Sequence, residues 1–84
     1  MVYVDKARHR FGRMIMCHMI ADNHDELHEI AEKIGLSKRW FQNDKYIGHY
    51  DICESMKTKA LKLGAVEIEN KKLASIIKKV RGLI

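Results

Sequence analysis

The feature that most constrains this chain is an apolar run of eight residues, Met14–Ala21, with the sequence MIMCHMIA. The run has the length of a β-strand, and side chains alternate between the two faces of a strand. Both alternating sets are apolar, which is typical of a central strand in a sheet that is covered on both faces. His18 shares one face with Met14, Met16 and Ile20, and is the residue in this run that packing alone does not explain.

Strand and helix patterns alternate around this run. Val2–Asp5 is β-branched and aromatic, which predicts a short strand. Asn23 with Glu26 forms a capping box, which predicts the start of a helix that ends before Gly35. Lys38–Gln42, with the sequence KRWFQ, is predicted to be another strand.

The second half of the chain repeats the same alternation. A polar loop, NDKYIGHY, is predicted over residues 43–50. Asp51 and Glu54 form a second capping box, which predicts a helix that Gly64 ends. A strand is predicted at Ala65–Glu69, followed by an amphipathic helix. The order β-β-α-β-α-β-α predicts one small α/β or α+β sandwich, in which helices pack on a short mixed sheet.

Length and composition favour one cytoplasmic domain over residues 1–84 without a linker. The chain contains no Pro, and no stretch of 18 apolar residues, as a membrane-spanning helix would need. Its first residues, MVYVDKARHR, do not have the apolar core of a signal peptide. Cys17 and Cys53 fit no metal or redox spacing and are expected to be free thiols.

Positive charge is concentrated in the last third of the chain. The net charge is +5, and residues 55–84 carry 8 Lys and Arg against 2 Asp and Glu, whereas residues 1–54 carry 8 against 9. The lysines lie opposite an apolar stripe, a pattern typical of a solvated helix face. The alternative to a solvated face is that the C-terminal helix binds nucleic acid or an acidic protein.

Two further motifs are weaker candidates. The segment HDELH places His24 and His28 four residues apart, the spacing of a helical zinc pair, but its second residue is Asp where the metalloprotease motif has Glu. Cys53 lies in the first turn of the second predicted helix, where the helix dipole could lower its pKa. A half-buried, unreactive thiol is the simpler interpretation of this cysteine.

Five blocks of the sequence, in order, carry a family resemblance: GRMIMCHMIAD, ELHEIAEKIG, KRWFQND, HYDI and LGAVEI. Together they resemble a small family of bacterial and phage proteins known as a domain of unknown function, with the pattern GR-x4-H-x3-D, ELH, RR-x-F, HYD and GAV. The resemblance runs from Gly12 to about Leu73. It implies no particular activity, and neither His24 nor either cysteine belongs to the pattern.

Seven residues of these blocks remain once capping, turn and core residues are set aside: Arg13, His18, Asp22, His28, Arg39, His49 and Tyr50. Guanidinium, imidazole and phenol groups suit an anion, because arginine binds phosphate bidentately and histidine donates hydrogen bonds. We therefore expect this set to bind a nucleotide or other phosphorylated small ligand. Five of its members should converge on one concave pocket at an end of the sheet: Arg13, His18, Arg39, His49 and Tyr50. Asp22, four residues beyond His18 on the same strand face, or a nearby backbone carbonyl is expected to orient the His18 ring.

Two alternatives use the same residues differently. His18, Asp22 and His49 could hold a divalent metal that hydrolyses phosphoesters, with Arg39 neutralising the developing charge. The polar set could instead be a buried hydrogen-bond network that only fixes the fold. The sequence itself identifies no cofactor.

Self-association is the first testable expectation. A chain of 84 residues has little core to spare, and an apolar tail, GLI, follows its basic last helix. We predict a symmetric homodimer formed through the C-terminal helix or an edge strand. Light scattering at tens of micromolar protein should give the dimer mass, and a monomer mass would contradict this prediction.

Overall fold

Strands and helices account for most of the chain in the computed structural model, which describes residues 1–43 and 47–81, and in residue 81 the backbone only. The described strands are β1 (Val2–Asp5), β2 (His9–Phe11), β3 (Met14–Ala21), β4 (Gln42–Asn43), β5 (Gly48–Cys53) and β6 (Val66–Ile68). The described helices are α1 (His24–Lys33), α2 (Glu54–Lys62) and α3 (Asn70–Arg81), with a single 3-10 turn at Lys38–Trp40.

The apolar run forms the central strand, as its pattern predicts. The sheet has the order β4-β5-β3-β1-β6, and β2 pairs with the part of β3 that β1 does not reach. All pairs are antiparallel except β1 with β6, which is parallel. The mixed sheet with helices packed on it confirms the predicted fold class, and it is an α+β arrangement.

Helices cover both faces of the sheet. On the α1/α2 face, Met19, Tyr50 and Ile52 pack in one buried cluster with residues of α1 and α2. On the α3 face, Ile20 and neighbouring isoleucines pack against Ile76 of α3 in a second cluster. His18 lies on the α3 face because it is two residues from Ile20 along β3. None of the described helices is both long and apolar enough to cross a lipid bilayer.

The strand predicted at Lys38–Gln42 is wrong. Residues Lys38–Trp40 form a 3-10 turn, which begins after Ser37, whose hydroxyl oxygen accepts a hydrogen bond from the backbone N–H of Arg39 at 3.4 Å. Extended pairing starts only at Gln42, in the two-residue strand β4. A serine cap at the start of this segment therefore outweighs the strand preference of its aromatic residues.

The loop at residues 43–50 and the helix cap at Asp51 are also predicted wrongly. Strand β5 begins at Gly48 and runs through Asp51, and α2 starts after Cys53, which makes no side-chain capping bond. Pairing of β5 with β3 holds Asp51 in the sheet, and this long ladder prevails over a local capping pattern. The middle of the predicted loop, residues 44–46, and the GLI tail lie outside the described residues.

A β-hairpin at β2 and β3 is not predicted from the sequence. Phe11 pairs with Met14, so only Gly12 and Arg13 form the turn. Gly12 has φ of +61°, a value that the first central residue of a type II′ turn requires and that glycine adopts without strain. This turn makes Arg13 the tip of an exposed ribbon.

Phe41 and His24 pack so closely against Gly48 that a larger residue there should destabilise the protein. A Cβ at this position would lie 2.5 Å from Cζ of Phe41 and 2.6 Å from Nε2 of His24. Replacement of Gly48 by Ala should therefore cost about 1 to 3 kcal/mol and lower Tm by several degrees. The same change in a Phe41→Leu background should cost less, because the nearer clash is removed. An equal cost in both backgrounds, measured by thermal melts, would contradict this packing.

Candidate metal centre

One row of polar side chains crosses three adjacent strands on the α3 face. His18 pairs directly with Asp51 in the β3–β5 register. The β1–β3 register pairs Val4 with Met19, which brings Asp5 beside His18 on the other edge of β3. The central histidine therefore has a carboxylate on each side.

His49 completes a group of three potential metal ligands with His18 and Asp51. It precedes Asp51 by two residues on β5, so both side chains project from the same face. Ligand atoms from the three residues lie within 4.8 Å of one another. Oδ1 of Asp51 is 3.8 Å from Nε2 of His18 and 3.6 Å from Nε2 of His49, and the two imidazole centroids are 5.5 Å apart.

Asp5 fixes the orientation of the His18 ring. Its Oδ2 lies 2.6 Å from Nδ1 of His18, and its Oδ1 accepts the backbone N–H of His18 at 2.9 Å and that of Ala7 at 3.2 Å. Burial acts to raise the pKa of the Asp5 carboxyl, but the hydrogen bonds from His18 and Ala7 outweigh it and hold the pKa below its ordinary value. The ionised carboxylate places the proton of a neutral His18 ring on Nδ1, which directs the Nε2 lone pair toward Asp51.

The other two ligands are oriented in the same way. Nδ1 of His49 lies 3.0 Å from the carbonyl oxygen of Ile47, which accepts its hydrogen. The side-chain amide of Gln42 donates to Oδ2 of Asp51 at 2.8 Å, while Oδ1 is the oxygen nearest both imidazoles. Metal-binding histidines and carboxylates have outer partners of this kind, which set the ring tautomer and the direction of the ligand atom.

Two of the three potential ligands, His18 and Asp51, are accessible from solvent, whereas the His49 side chain is buried at 10% exposure. The His18 side chain is 31% exposed and that of Asp51 39%, whereas Asp5 behind them is 1% exposed. The ring of His9 on β2 lies at the rim of the site, 5.0 Å from the His18 ring between centroids. The carboxylate groups of Asp5 and Asp51 on either side of His18 favour the binding of a cation.

Asp22 does not orient His18, contrary to the sequence expectation. It accepts a hydrogen bond from the hydroxyl of Tyr3 at 3.1 Å, beyond the end of β3. Four residues of strand span about 14 Å, so Asp22 shares a face with His18 but is too far along it for contact. Asp5 therefore orients His18 as predicted for Asp22, and Asp51, not Asp22, lies with His18 and His49 in the group that could hold a metal ion.

His28 and Tyr50 meet on the opposite side of the sheet, on the α1/α2 face. Nδ1 of His28 lies 2.8 Å from the Tyr50 hydroxyl, and the Phe41 ring packs against both. Burial raises the pKa of Tyr50, and burial with the nearby Lys38 charge lowers that of His28. For these two residues the geometry favours the alternative given above, in which polar side chains form a buried hydrogen bond that stabilises the fold.

The two arginines of the predicted set lie apart from both groups. Arg13 is exposed in the β2–β3 turn, and Arg39 is exposed in the 3-10 turn with its guanidinium 5.2 Å from the Trp40 ring centroid. Arg13, Arg39 and Tyr50 therefore do not converge with His18 and His49, and the expectation of one pocket shared by these five residues is wrong. Among the described residues, His24 and His28 belong to no cluster of three metal ligands.

Sequence reasoning missed Asp5, Asp51 and Gln42. The segment HYDIC carries the available signal, because His49 and Asp51 alternate with Tyr50 and Ile52, and this period of two predicts a strand with one polar face. Asp5 gives no comparable signal, since its role depends on how the strands pair.

The cysteines behave as free thiols, as expected. Burial raises the pKa of the Cys17 thiol to about 11, because the thiolate would be poorly solvated. A hydrogen bond with Ser55 lowers the pKa of Cys53, which lies next to the site at the end of β5.

The hydrogen bonds of Asp5 should contribute to the stability of the metal-free protein. Replacement of Asp5 by Asn removes a buried charge-assisted bond to His18 and should lower the free energy of unfolding by about 2 to 3 kcal/mol. The matched change Asp22→Asn, at a partly exposed side chain, should cost under about 1 kcal/mol. Urea unfolding of both variants measures the difference, and equal costs would contradict the central position of Asp5.

Comparison with known proteins supports the expectation of a small domain of unknown function. Searches of curated proteins and of solved structures give no significant match. A family model described as "Protein of unknown function (DUF4031)" matches residues 2–80, which is nearly the whole chain. The chain therefore belongs to the DUF4031 family of proteins of unknown function.

Proposed function

We propose that this protein binds a divalent transition-metal ion through His18, His49 and Asp51, and uses the ion to bind and hydrolyse a phosphoester. The observation that supports the proposal is the orientation of all three ligands. Each has its second polar atom in a hydrogen bond, with Asp5, the Ile47 carbonyl and Gln42 respectively, and presents the other atom to the shared centre.

Distances within the site suit a metal better than direct hydrogen bonds. The 3.6 and 3.8 Å separations between Asp51 Oδ1 and the two Nε2 atoms are too long for good hydrogen bonds. Ligands at about 2.1 Å from a tetrahedral zinc ion are about 3.4 Å from one another. A contraction of a few tenths of an ångström would bring the two Asp51 distances to this value, and all three ligand atoms already lie within 4.8 Å of one another.

The ligand set also indicates the kind of metal. Two imidazoles favour zinc, iron, nickel or copper over magnesium and calcium, which prefer oxygen ligands. Structural zinc sites have four protein ligands, whereas catalytic sites have three and leave a position for water or substrate. The His18, His49 and Asp51 set has three, and the partial exposure of His18 and Asp51 would give a ligand access to the open positions.

An anionic phosphoryl oxygen would suit those open positions. The proposal therefore combines two hypotheses from the sequence: binding of a phosphorylated ligand and metal-dependent hydrolysis of a phosphoester. The ion would lower the pKa of a bound water and polarise the phosphoryl group. Held by His18, His49 and Asp51, the ion would supply a water whose oxygen would replace the leaving oxygen on phosphorus, with the water proton passing to the leaving group. The net charge of +5 favours the approach of such a substrate.

Calorimetric titration with Zn²⁺ and Mn²⁺ tests the metal site. The wild-type protein should bind one ion per chain, and His18→Gln or Asp51→Asn should weaken binding at least tenfold, because each change removes one of three ligands. Asp22→Asn is the matched control and should bind like the wild type. Unchanged affinity in both ligand variants would contradict the assignment.

Hydrolysis is tested separately with bis(p-nitrophenyl) phosphate. Metal-loaded protein should release nitrophenolate, and chelation of the metal or Asp51→Asn should abolish the release. Activity that survives in Asp51→Asn would show that the hydrolysis comes from another source. Tight metal binding without any release would retain the metal site and reject the phosphodiester reaction.

A further inference from the structure

The ribbon formed by β2 and β3 is a basic, exposed surface beside the candidate metal centre. It belongs to the segment KARHRFGR, residues 6–13, which has four Lys and Arg and no acidic residue. Every residue from Arg8 to Met14 is exposed. The metal site accounts for none of these positive charges.

Phe11 and Met14 form an exposed apolar pair on this ribbon. They are direct partners in the β2–β3 register, and they are 69% and 46% exposed. Alternation along β3 places Met14 on the same face as His18. A large aromatic ring left in solvent at the tip of a hairpin is available to stack on a planar ligand.

His9 links the ribbon to the metal site. Its side chain points to the same face as Phe11, two residues further along β2, and its ring meets the His18 ring edge-on at 5.0 Å between centroids. The run from Met14 to His18 spans about 14 Å of strand. A linear ligand stacked on Phe11 would therefore pass His9 and reach the metal ligands.

Arg10 and Arg13 adjoin Phe11 and Met14 in the chain: Arg10 projects from the opposite face of the ribbon by alternation, and Arg13 lies in the turn. Arg8 forms an ion pair with Glu54 at 3.0 Å, whereas Arg10 and Arg13 take part in no ion pair with the described residues. Guanidinium groups bind phosphate bidentately, and single-strand binding proteins combine such charges with stacking aromatic rings.

We infer that the β2–β3 ribbon binds single-stranded nucleic acid, with a base stacked on Phe11 on one face and the backbone passing around the turn, where Arg13 and, on the other face, Arg10 bind phosphates. Binding by the ribbon is independent of the metal. Only the delivery of a backbone phosphodiester to the His18 centre rests on the proposed function. Nucleic acid suits this surface better than a membrane does, because the apolar area is limited to one ring and one methionine between arginines.

Fluorescence anisotropy of a labelled oligothymidylate tests the inference, with metal-free protein and a chelator so that no cleavage occurs. Phe11→Ala should weaken binding by roughly five- to a hundredfold, the range for loss of one stacked base. Arg10→Gln with Arg13→Gln should reduce the slope of log K against log salt by about 0.7 for each phosphate that the protein no longer neutralises. Circular dichroism confirms that these variants, changed only at exposed positions, remain folded.

Trp40→Ala is the matched control, because Trp40 is also an exposed aromatic ring beside an arginine, 57% exposed next to Arg39. It should leave binding unchanged. Failure of the wild-type protein to bind the oligonucleotide, or equal losses in Phe11→Ala and Trp40→Ala, would overturn the inference. Binding to vesicles rich in phosphatidylserine in place of the oligonucleotide would overturn it as well. Each of these results would leave the calorimetric test of the metal site unaffected.

Discussion

The contact between Asp5 and His18 is the interaction on which the rest of this structure depends. The edge of β3 is shared by two strands, since β1 pairs with its second half and β2 with its first. The backbone N–H of His18 lies between these two pairings, and the Asp5 carboxylate accepts it where a neighbouring strand would offer a carbonyl. The same carboxylate binds the His18 ring and the N–H of Ala7, where the chain leaves the sheet. One buried side chain thus completes the sheet and orients the imidazole.

The candidate metal centre follows from this arrangement because its ligands lie on paired strands. Residues on strands are held more precisely than residues on loops, since the ladder fixes their spacing. The register of β3 with β5 brings Asp51 opposite His18, and the pairing of β4 with β5 brings Gln42 beside His49. Helix α3 packs on the same face over Ile20, next to His18 along β3, and covers the sheet there while His18 and Asp51 stay accessible. The fold therefore builds an oriented, open site from strand pairing alone.

The sequence predicts the parts of the fold that depend on long apolar patterns. Met14–Ala21 is predicted as the central strand because both its faces are apolar, and the cap at Asn23 is confirmed by the hydrogen bond from the N–H of Glu26. Predictions fail where a local signal competes with pairing between distant strands. Asp51 fits a helix cap by spacing, but the ladder with β3 keeps it extended.

The candidate site is predictable only in part for the same reason. His18 and His49 stand out as polar residues in apolar or patterned segments, and the structure brings them together. Asp22 and Tyr50 are grouped with these histidines from the sequence only because their side chains are also polar, and the structure separates them. The contour length of a strand separates Asp22 from His18, and the alternation of side chains separates Tyr50 from His49. Spacing along one strand can be read from a sequence, whereas the neighbours supplied by other strands depend on the register.

X-ray absorption spectroscopy of the zinc-loaded protein tests the central claim most directly, because it identifies the atoms bound to the metal. Our account predicts two imidazole nitrogens and a carboxylate oxygen at about 2.0 to 2.2 Å, with water completing the sphere. The scattering from the two imidazole rings should decrease to that of one ring in His18→Gln. A zinc–sulfur distance of about 2.3 Å would place the ion on a cysteine, with Cys53 the nearest along β5, and would contradict the assignment to His18, His49 and Asp51.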